Sequence, residues 1–87
     1  MNAAGQVYYQ FDAAFFKLPQ AIQVRIQAKI DQMGLRLETF SHHQLKGHNR
    51  FRLRVGDYRV IYPFDTAQNT VHLLALGHRR EIYRELK

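Results

Sequence analysis

The chain has 87 residues, 46% of them hydrophobic and 13% aromatic. That supplies one modest core and no second one, so a single domain over residues 1–87 is expected. No cysteine is present, which excludes disulfides and thiolate metal sites, and no apolar run approaches the roughly 20 residues that cross a bilayer. Thirteen lysines and arginines stand against seven acids, a formal net charge of +6 that favours a polyanionic partner. The opening MNAAGQVYYQ lacks the basic-then-apolar pattern of a secretory signal, so a cytoplasmic location without a membrane partner is expected.

In chain order, Val7, Tyr9 and Phe11 alternate with Tyr8 and Gln10, which predicts a first strand. Asp12 is a good N-cap for a short helix, AAFFKL, which Pro19 ends. A second helix then starts with Pro19 in its first turn. Ile22, Ile26, Ile30, Met33 and Leu37 recur every three or four residues and form its buried stripe, with Gly34 near its end. ETFSHHQLKGHNR reads as a polar connection broken at Gly47. The strands RFRLRV, YRVIYPF and VHLLALG follow, with Pro63 suited to an edge or a strand end, and a short helical tail closes the chain. This order predicts an α+β fold: a small, twisted, mainly antiparallel sheet with both helices packed on one face.

Gly56-Asp57 between two alternating runs predicts a two-residue turn with glycine first. That register pairs Val55 with Tyr58, Leu53 with Val60 and Phe51 with Tyr62 on the core face. The other face then pairs Arg54 with Arg59, Arg52 with Ile61 and Arg50 with Pro63. From Lys46 to Arg59 there are five basic residues, and Asp57 in the turn is the sole acid. Like charges directly opposite each other destabilise a strand pair. A solvated arginine face is the plain reading. The functional one is a bound phosphate, to which arginine's planar fork donates in pairs without ever losing its charge. Tyr8, Tyr62 and Tyr83 are candidates for stacking on bases.

GHRREIYRE forms a second cluster. In a helical tail Arg79 and Tyr83 share a face, while Arg80, Glu81, Arg84 and Glu85 make a charged surface. His42, His43 and His48 lie in the polar connection without metal-ligand spacing, and His72 reads as a surface residue of a strand, so no metal and no cofactor is expected. There is no Ser/His/Asp arrangement, phosphate-binding glycine loop or dinucleotide fingerprint.

LKGHNRFRLRVGDYRVIYPF followed by LGHRREIYREL resembles the RelE branch of the RelE/ParE toxin superfamily, from bacterial and archaeal toxin–antitoxin systems. The resemblance covers most of the chain. It implies a small endoribonuclease that cuts mRNA in the ribosomal A site by metal-independent attack of the ribose 2′-hydroxyl. It also implies a RelB-like antitoxin that neutralises the toxin, with operator DNA bound only through the antitoxin complex. By this resemblance Arg52, Arg54, Arg59, Arg79 and Tyr83 match the family's functional positions. With His78 added for proton transfer, the expected catalytic set is Arg54, Arg59, His78, Arg79 and Tyr83, and Lys46, Arg50, Arg52 and Arg80 are expected to bind RNA or phosphate. Several relatives have lysine where this chain has Arg52 and Arg54. Arginine keeps its proton near neutral pH, so proton transfer falls to His78 or Tyr83, with His78 preferred. Two alternatives differ in class: a ParE-like toxin that poisons DNA gyrase without being an enzyme, and an inactive relative serving in a repressor complex.

Overall fold

The computed structural model describes residues 3–84. Strand β1 (Ala4–Val7) is followed by helices α1 (Tyr9–Phe15) and α2 (Gln20–Leu35). Strands β2 (His43–Gln44), β3 (Phe51–Val55), β4 (Tyr58–Tyr62), β5 (Phe64–Asp65), β6 (Thr70–Leu73) and β7 (Ala75–His78) come next, and a 3₁₀ turn covers Ile82–Arg84. The strands order as β2-β3-β4-β7 and β1-β6-β5; β1 runs parallel to β6, and the other pairings are antiparallel. The mixed, mainly antiparallel architecture with two N-terminal helices is the expected one.

The α2 stripe lands where its spacing placed it. Ile26, Ile30 and Met33 are buried, Ile22 is half-buried, and Leu37 is buried just beyond the helix end. They pack on Leu53, Val55, Val60 and Tyr62, the inner face of β3 and β4, and on Val71, Leu73 and Leu76. The hairpin register is also the expected one, from Phe51 opposite Tyr62 to Val55 opposite Tyr58. Gly56 takes φ +59°, the left-handed value that a glycine-first turn needs.

Three local expectations give way. The first strand stops at Val7, and Tyr9 and Phe11 belong to α1, where Phe11 stacks on Phe15 one turn later at 5.5 Å. Helical pitch thereby buries Phe11. Asp12 sits inside the first turn of α1 rather than capping it. VHLLALG is two strands. Between the pairs Ile61–Ala75 and Phe64–Val71, two residues on one side (Tyr62, Pro63) face three on the other (His72, Leu73, Leu74). This bulge sits where Pro63 has no N–H to give. Hydrogen bonds continue across it from His72 N–H to the Pro63 carbonyl and from Leu74 N–H to the Ile61 carbonyl, both 3.0 Å.

The polar connection after α2 is tied down more firmly than its composition suggests. His42 Nε2–H donates to the Leu37 carbonyl at 2.7 Å, which leaves Nδ1 to accept from the Tyr62 hydroxyl at 2.6 Å. Its ring stacks on Phe64 at 3.9 Å, within a cluster that includes Phe40 and Phe51. Burial pushes the Tyr62 phenol well above the usual tyrosine range, so it stays protonated. The expected stacking role for Tyr62 is therefore closed, because its ring is fully enclosed.

Candidate nucleic-acid interface

Alternation along β3 and β4 sends the arginines to the face opposite α2. Register then arranges that face in rows. His43, Arg52, Ile61 and Ala75 form one row across β2, β3, β4 and β7, and Arg54, Arg59 and Gly77 form the next. Arg52 is half-buried and Arg54 exposed. Two residues apart on a strand, they are held roughly 7 Å from each other. Neither has an ion-pair partner among the described residues. Both guanidiniums are thus available to an anion. Arg50 is exposed just before β3, where its carbonyl accepts from Leu45 N–H at 2.8 Å, and Lys46 is exposed in the adjoining loop.

Arg59 shares this face but behaves differently. It is only 6% exposed, and its Nη1 donates to the carbonyls of Gly56 and Tyr58, both at 2.8 Å. The guanidinium folds back over its own turn. The arginine–arginine opposition read from sequence therefore has an internal answer: carbonyl dipoles hold one of the two cations, and Arg54 faces solvent. Gly77, opposite Arg59, contributes no side chain to compete for the space.

The GHRREIY segment divides between two faces. His78 lies opposite Tyr58, which packs on the main core, so its side chain is on the helix face and not among the arginines. There it lines a groove of about 580 Å³ between α1 and β7 with Tyr9, Lys17 and Glu81. Its Nδ1 accepts from the Arg80 N–H at 3.2 Å. Arg79 is fastened to the hairpin turn: its N–H donates to the Asp57 carbonyl at 2.8 Å, and Nε lies 3.7 Å from the Asp57 carboxylate. Both side chains are more than half exposed, so the ion pair is worth little and opens readily to a competing anion. Arg80 is exposed. No continuous helix joins Arg79 to Tyr83, because a turn intervenes before the 3₁₀ segment at Ile82. Glu85, part of the expected charged surface, lies outside the described residues.

Tyr83 returns to the arginine face. With Leu45 it packs on Ile61, Ala75 and Ile82, a small second apolar cluster on that side of the sheet. Its hydroxyl is enclosed and has no hydrogen-bond partner among the described residues. Such a group is costly unless something else eventually satisfies it. Ile82 seats against Gly77, where an added Cβ would meet its Cδ1 at 3.1 Å. Gly77 thus lies at a close approach that an added side chain would crowd. Of the other tyrosine expected to stack, Tyr8 is partly exposed beside His72, its hydroxyl 3.4 Å from Nδ1.

The structure thus brings together Arg52, Arg54, Arg59 and Tyr83, holds Arg79 at the hairpin tip, and separates His78 from them. It adds His43, which sequence reading left in a polar connection. The signal lay in HHQLKGHNRF: a glycine loop between two short runs, which pairs His43 with Arg52 once β2 is recognised as a strand. Among the described residues no three acids or histidines converge as a metal site requires, and no helix is long and apolar enough to cross a membrane.

Solved structures of similar shape include RelE toxins and their complexes with RelB. A chain of the archaeal RelE–RelB complex from Pyrococcus horikoshii is 28% identical, with a TM-score of 0.72 over 93% of this chain and 99% of that one. One from the RelB–RelE antitoxin–toxin complex of Methanococcus jannaschii is 26% identical, with a TM-score of 0.69 over 93% and 98%. An E. coli RelE variant in the free state shares the fold at 16% identity, with a TM-score of 0.76 over 98% and 94%. No curated protein matches the sequence. A family model described as the ParE toxin of the type II toxin–antitoxin system parDE matches residues 9–83. With that match spanning nearly the whole chain, the protein belongs to the ParE toxin family and is a type II toxin of the RelE/ParE superfamily.

Proposed function

We propose that this toxin is an endoribonuclease that cuts mRNA in the ribosomal A site, by metal-independent attack of the ribose 2′-hydroxyl on the adjacent phosphate. The observation that carries this reading is the pair Arg52 and Arg54, fixed on one face of β3 with no carboxylate partner among the described residues. In-line cleavage builds charge on a phosphorane, and preorganised guanidiniums on a rigid strand suit that charge. Arg79, held loosely by Asp57, can be recruited to the same phosphate from the hairpin tip. Arg50, Lys46 and Arg80 extend the positive surface along the RNA backbone. Arg59 acts by shaping the turn. His78 faces the helices, which counts against it as the group that moves the proton. A RelB-like antitoxin is the proposed partner, since the structural neighbours include RelE–RelB complexes, and operator DNA would be met through that complex.

A second reading has its own support in the family model, which is named for ParE. On that reading the basic face binds a DNA gyrase complex and cuts nothing. Primer extension on total mRNA after induction separates the two. New 5′ ends inside translated codons support the ribonuclease; DNA breaks with intact mRNA support the gyrase poison.

A further inference from the structure

Cleavage by a 2′-hydroxyl needs a group to take that hydroxyl's proton, and arginine cannot. His78 lies on the wrong face, and the Tyr83 hydroxyl is enclosed. We infer that His43 is the proton acceptor of the arginine face, an inference that rests on the ribonuclease reading.

The geometry is set by the sheet. His43 is directly opposite Arg52 in the β2–β3 pairing, and side chains so placed stand about 5 Å apart at Cβ on the same face. Leu45, two residues on, packs into the apolar cluster of Ile61, Ala75 and Ile82 on that face, which anchors the end of β2 there. The His43 ring is exposed and makes no hydrogen bond, ion pair or ring contact with the described residues. Other histidines are engaged: His42 by Tyr62 and Leu37, His72 by Tyr8, His78 by the Arg80 N–H. His48 lies in the loop beyond the strand.

Register sets Arg52 directly across from His43 and Arg50 and Arg54 on the diagonals, and Tyr83 packs on the same side of the sheet in the cluster that Leu45 joins. Neither β2 nor β3 presents a carboxylate. A phosphate gripped by Arg52 therefore carries its ribose to the imidazole, whose unprotonated ring nitrogen is a proton acceptor. In the step, the imidazole takes the 2′-hydroxyl proton as the 2′-oxygen bonds to phosphorus and the bond from phosphorus to the 5′-oxygen breaks. The 5′-oxygen leaves with a proton from water, and the imidazolium returns its proton to solvent. RNA becomes a 2′,3′-cyclic phosphate and a 5′-hydroxyl with no net change in protons.

The test is single-turnover cleavage of mRNA on programmed ribosomes between pH 5.5 and 8, with wild type, H43Q, and H43A with or without added imidazole. Wild type is expected to speed up by about tenfold per unit on the acid side and then level off. H43Q is expected to be about 100-fold slower and to lose that rise, and imidazole to restore part of the H43A rate. Melting temperature and antitoxin capture should not change, because the side chain is exposed. H43Q within about threefold of wild type, or a slower H43Q with the same pH rise and no rescue of H43A, overturns the assignment. Wild type that leaves mRNA intact overturns the ribonuclease reading itself.

Discussion

Arg54 and Arg59 are neighbours across one strand pair, yet replacing each by alanine should have opposite consequences. Arg59 places two charge-assisted hydrogen bonds of 2.8 Å on the Gly56 and Tyr58 carbonyls while nearly excluded from solvent. Bonds of this kind contribute about 1.5–3 kcal/mol each before any offset. Removing the side chain also relieves the opposition to Arg54, worth up to about 1 kcal/mol, and lets water reach the exposed turn carbonyl of Gly56. The net loss for Arg59→Ala is about 2 kcal/mol. For a chain of this size that lowers the melting temperature by roughly 8–16 °C. Arg54→Ala, at an exposed position, should stay within about 0.5 kcal/mol of wild type while weakening RNA binding. Thermal and urea unfolding followed by circular dichroism measure both. Equal midpoints for the two variants would refute the turn-clamp role of Arg59.

Arg52→Ala and Arg54→Ala should each reduce the dependence of log affinity for single-stranded RNA on log salt by about 0.7, one phosphate contact each, measured by fluorescence anisotropy across a salt series. Tyr62→Phe keeps the aromatic packing but strands His42 Nδ1, costing about 1–2 kcal/mol by urea unfolding at pH 7. Since burial raises the Tyr62 phenol, the unfolded chain ionises first. Its contribution is complete below about pH 10 and falls by about 1.4 kcal/mol per unit above it, a component that Tyr62→Phe abolishes. Gly77→Val drives a side chain into Ile82 and should cost about 1–3 kcal/mol. Amide exchange should rise first in residues 79–84 while α2 stays protected.

What could be read in the sequence was whatever rests on period and turn chemistry. The α2 stripe, the Gly56-Asp57 turn and the resulting arginine face follow from local rules that tertiary contacts did not override. What escaped depends on long-range register or on side-chain conformation. The phase of VHLLALG flips at a bulge opposite Pro63, so His78 falls on the helix face. Nothing within that stretch announces the extra residue. Arg59 has the same residue type and face as Arg54, and only the fold of its own guanidinium over the turn distinguishes them. His43 was hidden because a two-residue edge strand has no detectable period. The approach of Ile82 to Gly77 is likewise invisible until the C-terminal turn is seen on the sheet.

The most direct test of the ribonuclease account is end-group analysis of mRNA incubated with purified toxin and programmed ribosomes, comparing wild type with the Arg52→Ala, Arg54→Ala double variant. The account predicts cuts within the A-site codon that carry 2′,3′-cyclic phosphate and 5′-hydroxyl ends, with the double variant losing cleavage while still binding antitoxin. Intact mRNA with wild type, or undiminished cleavage by the double variant, would contradict it.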